Sequence, residues 1–319
     1  KSSLYYVVRV PVISHKTTMP VKVEKITSSL VLGEGPHWDA AQQALFFVSI
    51  QEHTIHRYLL ATGEHTKTKL DGRVGFIVPV AGSCDQFVVG VERRLQLVRW
   101  GGAEGGAARL LGTLAELDRD NPSTRINDGK ADPRGRLFVG RYNPPGKFQM
   151  GQGSFYRLDE RGVVKVCEGI HLSNGLAWDE GRSAMYYIDS LEYNIRRYDY
   201  NFDTGEMSNK TYIYDFKKNG EEGTPDGMTI DTDGNLWVAV FDGACVMKLD
   251  PNTGTVLQKV PIPARQVTSV TWGGPEFDIL FVTTASMNIG GEQPPPSGAT
   301  FMVSGLGVKG YPNVSFKLP

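Results

Sequence analysis

Short apolar runs alternate with turn residues along almost all of this chain. The clearest stretch reads NGLAWD (174–179), MYYIDS (185–190), IRRYDY (195–200) and KTYIYDF (210–216). Each run is rich in β-branched and aromatic residues and bounded by Gly, Asp, Asn or Ser, which predicts four strands joined by tight turns. The plan returns from Asp226 as DGMTID, NLWVAVF (235–241), CVMKLD (245–250) and VLQKVPI (256–262). LFFVSI (45–50), TIHRYLL (54–60), RLFVGRY (136–142) and SFYRLD (154–159) are earlier counterparts, and ILFVTTA (279–285) and ATFMVSG (299–305) later ones. Units begin near Glu34, Val74, Asn127, Asn174, Asp226 and Thr268, a spacing of roughly 40 to 50 residues that suits propeller blades. The expectation is an all-β fold: a six-bladed β-propeller of four-stranded antiparallel blades around a central channel, residues 19–319 forming one domain. The last unit lacks an outermost strand, and VKVEKIT (21–27) is expected to pair there and close the ring. Gly- and Pro-rich pieces at 101–107, 143–153 and 290–298 read as loops.

At the start of each inner strand one position stands out. It is Glu34 in GEGPHWD, Asn127 in NDGKAD, Asn174 in NGLAWD, Asp226 in DGMTID and Thr268 in TSVTWG, whereas the second unit, FIVPVAG, is apolar there. An Asp follows five residues later as Asp39, Asp132, Asp179 and Asp231, with Gly273 in the last unit. Taken singly, Asn or Asp before Gly is as readily a turn former. In a radial array, however, equivalent positions converge on the axis, and a ring of neutral and acidic oxygens there suits a hard cation. Asp39, Asp179 and Asp231 are expected to make turn hydrogen bonds, and DTDGN (231–235) to be a plain β-turn, lacking the spacing and distal Glu of a calcium loop. His37 and His171 read as channel-lining residues, Lys130 and Asp132 as an ion pair, and Trp38, Trp178, Trp237 and Trp272 as fillers between blades. No G-x-S-x-G elbow is present, so covalent serine catalysis has no support.

Composition narrows the partners. With 34 Lys plus Arg against 35 Asp plus Glu the net charge is -1, which gives no pull toward nucleic acid or acidic lipid. No stretch has the ~20 apolar residues of a membrane helix. Cys84, Cys167 and Cys245 are too few and too far apart for a disulfide framework, and read as buried reduced thiols of a cytoplasmic protein. Residues 1–18 read as a leader or appended segment, poorly ordered, with Met19 a plausible start. The sequons at Asn209 and Asn313 would matter only in a secreted protein.

Several of these motifs in order, GEGPHWD, STRINDGKADPRGRLFVG, SNGLAWD, MYYIDS, PDGMTIDTDGNLWVAV and GLGVKG, make the chain from about Val21 onward resemble the regucalcin (senescence marker protein) and gluconolactonase family. VGFIVPVAGSCDQFVVGVER and ILFVTT resemble its insect members, a group that includes the luciferin-regenerating enzyme. The resemblance implies a six-bladed propeller, hydrolysis of a lactone, and one divalent cation, Ca²⁺ first, with Mg²⁺, Mn²⁺ or Zn²⁺ as alternatives. It implies Glu34, Asn174 and Asp226 as metal ligands and Arg125, Asn127 and Asp128 as substrate contacts. Asp226 would also be the general base for metal-activated water. Where vertebrate-type members read G-T-M-A-E-E, this chain reads GRYNPP (140–145), so an acidic residue that helps bind sugar hydroxyls is missing. Two rival expectations follow: an enzyme acting on a luciferin-like heterocycle, an aryl ester or an organophosphate at the same site, and a non-catalytic Ca²⁺-binding regulator. The expected partner is a small lactone or ester, with the protein a monomer or weak homodimer.

Overall fold

The computed structural model describes residues 20–119, 121, 123–142 and 151–319. Residues 1–18 and Asn143–Pro145 of the GRYNPP segment lie outside them. Six four-stranded sheets, every neighbouring pair antiparallel, form the blades of a β-propeller. The inner strands are Gly33–Asp39, Val74–Pro79, Arg125–Ala131, Ser173–Asp179, Thr224–Ile230 and Gln266–Gly273, for the first to sixth blades in chain order. Among the described residues the one helical piece is a 3₁₀ turn at Ser190–Glu192. No helix is long and apolar enough to cross a membrane.

The sixth blade is completed as its sequence requires. Lys22–Lys25 pairs with Phe301–Ser304, so the first strand of the chain becomes the outer edge of the last blade. Between blades the tryptophans fill space: Trp38 stacks on Phe281 with centroids 5.1 Å apart, Trp178 lies against Phe138 at 5.5 Å, and Trp237 meets Trp272 edge-on at 5.3 Å. Each such pair joins neighbouring blades and contributes about 1 kcal/mol beyond its buried area.

Every inner strand carries a register irregularity near its start. In the fourth blade Asn174 pairs with Ile188 and Leu176 with Tyr187, two steps against one. In the first, Glu34 pairs with Val48 and His37 with Phe46, three steps against two. A bulge bends the strand and re-aims one side chain, here at the repeated oxygen position. The Asn-Gly, Asp-Gly and Glu-Gly pairs are therefore not turns but bulges within strands. Their glycines permit close approach of adjacent blades. A Cβ on Gly175 would sit 2.7 Å from Asp226 O, and one on Gly227 2.6 Å from Ser269 Cα.

The opposite end of the channel is crossed by the C-terminal segment. Thr232 N donates to Lys309 O, Ala81 N to Phe316 O, and Lys317 N to Gly135 O. Asn313 Oδ1 accepts from Trp38 N at 2.9 Å and Thr271 Oγ1 at 2.7 Å. Residues 309–317 thus touch the exits of the first, second, third, fifth and sixth inner strands. The side chain of the Asn313 sequon is committed inside this plug, whereas Asn209 is exposed.

Candidate functional site

The bulges bring the repeated positions Glu34, Asn127, Asn174 and Asp226 together at the mouth of the channel. Glu34, Asn174 and Asp226 are all buried, at 6%, 3% and 8% exposure, so their polar atoms have left water and need partners. Asn174 has them on both sides. Its Nδ2 donates to Ser190 Oγ at 2.8 Å, which turns Oδ1 toward the mouth, where Asn127 Nδ2 donates to it at 2.9 Å. Asn127 Nδ2 also reaches Ser173 O at 2.9 Å. Among the described residues Glu34 Oε2 accepts only the N–H of Gly35, at 3.0 Å. Asp226 Oδ1 is buried with no hydrogen-bond partner among the described residues.

Electrostatics report the same convergence. Burial pushes the Glu34 carboxyl up to about 8, with Asp128 adding to the rise, while the Gly35 N–H and Arg125 oppose it. Asp226 is held well above the ordinary carboxylate range by burial, then by Glu34 and Asp128. Asp128 itself is raised by burial, against Lys130 and the Gly129 N–H. Three buried carboxyls held above their ordinary range, Asp226 by both neighbours and Glu34 by Asp128, with one oxygen orphaned among the described residues, lack positive charge between them. A hard cation placed there would favour the ionised carboxylates and could take the amide oxygen of Asn174 as a neutral ligand. Glu34, Asn174 and Asp226 are therefore the residues able to hold it.

Arg125 flanks the mouth. Its Nη1 donates to Ile126 O at 2.8 Å and its guanidinium lies over the Tyr142 ring, 4.9 Å from the centroid. Among the described residues no carboxylate ion-pairs with it, and burial lowers it to about 10. Arg73 stands nearby, gripped by Glu92 through Nε–Oε1 and Nη2–Oε2 contacts of 3.0 and 2.8 Å. Arg73, Glu92 and Tyr142 were not marked by the sequence pattern. Arg73 directly precedes Val74, the apolar occupant of the repeated position, and Tyr142 pairs across the sheet from Arg125.

Several expectations need correction. Lys130 does not pair with Asp132, which instead binds Arg136 at 2.6 Å and accepts the Tyr200 hydroxyl at 2.6 Å. His37 lines the channel, neutral because burial and Lys130 press it down to about 3. His171 lies off the channel, its Nδ1 3.3 Å from Asp189 and 3.6 Å from Glu192. That acidic pair already has a cation, since Arg196 binds both carboxylates. Thr268 offers no oxygen to the mouth: it is fully buried and donates to Gly33 O at 2.6 Å, tying the sixth blade to the first. Asp39, Asp179 and Asp231 accept backbone N–H groups in turns, as expected. The three cysteines are free thiols, but Cys84 is exposed and the other two half-buried.

Comparison with known proteins agrees with this architecture. Residues 32–286 match the SMP-30/Gluconolactonase/LRE-like region. Regucalcin of Danio rerio is 37% identical over 302 residues, covering 93% of this chain and 98% of its own. The structure of a luciferin-regenerating enzyme superposes with a TM-score of 0.89 at 38% identity, over 94% of this chain and 100% of that one. A calcium-binding regucalcin from Agrobacterium tumefaciens superposes with a TM-score of 0.82 at 25% identity, over 92% and 97%. The chain belongs to the SMP-30/gluconolactonase/LRE-like family.

Proposed function

We propose that the protein is a divalent-cation-dependent hydrolase of lactones, acting at the channel mouth on a small cyclic ester in the cytoplasm. The observation that carries the reading is the buried, unpartnered Asp226 Oδ1 among the carboxylates of Glu34 and Asp128 and the oriented amide of Asn174. A Ca²⁺ ion held by Glu34, Asn174 and Asp226 would supply Lewis-acid polarisation of the ester carbonyl and acidify a water. The chain's own groups do the rest. Asp226, whose Oδ1 has no hydrogen-bond partner among the described residues, takes the proton of the attacking water. Arg125, free of a carboxylate partner among the described residues, binds the substrate oxygen on which negative charge develops. Asn127, fixed by Asn174 and Ser173, and Asp128 orient the substrate hydroxyls.

The Arg125–Tyr142 stack supports a second reading of the substrate. An aromatic ring at the mouth, where vertebrate-type relatives carry other side chains, favours an aryl or heterocyclic ester over a sugar lactone, and one structural relative is named a luciferin-regenerating enzyme. The test is hydrolysis of sugar lactones and aryl esters by metal-stripped, Ca²⁺-reloaded and Asp226→Ala protein. The expected result is activity lost on stripping, regained with Ca²⁺, and lowered by roughly 10²- to 10⁴-fold in the variant. An Asp226→Ala protein as fast as wild type at matched metal occupancy overturns the mechanism. Tight Ca²⁺ binding with no turnover of any substrate favours the regulatory protein instead.

A further inference from the structure

Lys130 lies three residues beyond Asn127, one layer further down the channel, where the equivalent positions hold His37, Ala177, Thr229 and Thr271. Its Nζ donates to Leu176 O at 3.3 Å and Met228 O at 3.2 Å, carbonyls of the fourth and fifth inner strands. It forms no ion pair within 4.0 Å among the described residues; burial lowers its pKa to about 8 against the opposing charge of Asp128, which leaves it an ammonium at neutral pH. The space around it is narrow: a cavity of about 20 Å³ lined by residues of all six inner strands, including His37, Ile77, Leu176 and Met228. Lys130 also borders a cavity of about 390 Å³ under the C-terminal plug, so it stands at the waist between the two. A primary ammonium held at the axis by two carbonyls is a tethered cation.

Formal charge gives it a purpose. With Glu34, Asp128 and Asp226 ionised, Arg125 charged and Arg73 cancelled by Glu92, Lys130 changes the formal charge around the mouth from −2 to −1, so a divalent ion leaves a surplus of +1 and a trivalent ion one of +2. We propose that Lys130 is a fixed monovalent charge beneath the mouth that sets the valence of the ion accepted there, admitting a divalent cation and resisting a trivalent one. The assignment rests on the reading that Glu34, Asn174 and Asp226 hold a cation. Repulsion between Lys130 and an ion in the mouth grows in proportion to that ion's charge. Removal of the ammonium therefore helps both ions and helps the trivalent one more.

The test is calorimetric titration of metal-free protein with Ca²⁺ and with Tb³⁺, for wild type, Lys130→Gln, Lys130→Thr and Asp226→Asn. Gln keeps an N–H donor for the two carbonyls while removing the charge, and Thr is what Thr229 and Thr271 already place in this layer. Both Lys130 variants are expected to raise the Tb³⁺/Ca²⁺ affinity ratio by about tenfold or more. A ratio within twofold of wild type in both variants overturns the proposal, and so does failure of both to fold, which would make Lys130 a structural plug. The parent reading fails separately. If Asp226→Asn leaves both affinities unchanged, the mouth is not the cation site, whereas loss of binding in Asp226→Asn with an unchanged ratio in the Lys130 variants removes Lys130 alone.

Discussion

At the scale of single residues the first blade contains a group whose charge the fold forbids. His56 is fully buried, stacked on Phe47 with centroids 4.9 Å apart, with Thr54 Oγ1 2.7 Å from Nε2 and His65 Nε2 2.9 Å from Nδ1. Burial, then His65 and Lys67, press its pKa down to about 3, and His65 is lowered as well. The unfolded chain binds this proton near pH 6.5 and the folded one does not. Stability is therefore complete above that pH and declines as pH falls from 6.5 toward 3, by up to about 1.4 kcal/mol per unit for each such histidine. Urea unfolding at pH 7.5 and pH 5 should show His56→Gln losing about 2 kcal/mol less than wild type over that interval. Equal losses would mean that His56 is not the acid-sensitive group. None of this was legible in TIHRYLL, because strand alternation places His56 inside without revealing that its ring partner is His65 from the next strand. Arg73, Glu92 and Tyr142 escaped for a related reason: they reach the mouth from a loop or a second strand, where no repeat marks them. The buried oxygens of Glu34, Asn174 and Asp226 were legible because a repeat aligns them. Thr268, aligned equally well, turned out to be a strut, since its hydroxyl finds Gly33 O before the channel.

At the scale of the element, the bulged inner strand converts a repeat into a site. The glycine after Glu34, Asn174 and Asp226 is what lets neighbouring strands converge, so a Cβ there should damage the site and the packing together. Gly175→Ala would force a methyl against Asp226 O at 2.7 Å and Met228 Cβ at 2.7 Å. The fourth and fifth inner strands would separate, carrying Asn174 away from Asp226. The expected cost is about 1–3 kcal/mol of stability, with Ca²⁺ affinity down by roughly tenfold, as about 1.4 kcal/mol of lost ligand geometry implies. Gly112→Ala, on the outer strand Arg109–Glu116 with open space around it, is the control and should change neither. A Gly175→Ala protein that binds Ca²⁺ as wild type does would show that blade spacing does not set the site. The strand count and the closing strand were readable because alternation and turn residues act locally. The bulge was not, because Asn-Gly and Asp-Gly favour turns in isolation and only the neighbouring blade dictates otherwise.

At the scale of the whole molecule, both described ends of the chain fasten the ring. Lys22–Lys25 closes the sixth blade at its rim, and residues 309–317 span the far end of the channel. The plug depends on one side chain more than any other. Asn313 Oδ1 takes the Trp38 N–H of the first blade and the Thr271 hydroxyl of the sixth, the two blades whose junction completes the circle. Thr271 is fully buried and Trp38 nearly so, so loss of that acceptor leaves donors that water reaches poorly. Asn313→Ala should cost about 2–4 kcal/mol, the sum of two stranded buried donors, seen as a lower urea midpoint with an unchanged slope. The proposed hydrolysis at the mouth should persist at temperatures where the variant remains folded, because the waist at Lys130 lies between plug and mouth. Limited proteolysis supplies the structural readout, with cleavage in the 305–319 segment preceding cleavage of any blade in the variant but not in wild type. If the urea midpoint and the cleavage order both match wild type, the tail merely rests on the ring, and closure belongs to Lys22–Lys25 alone.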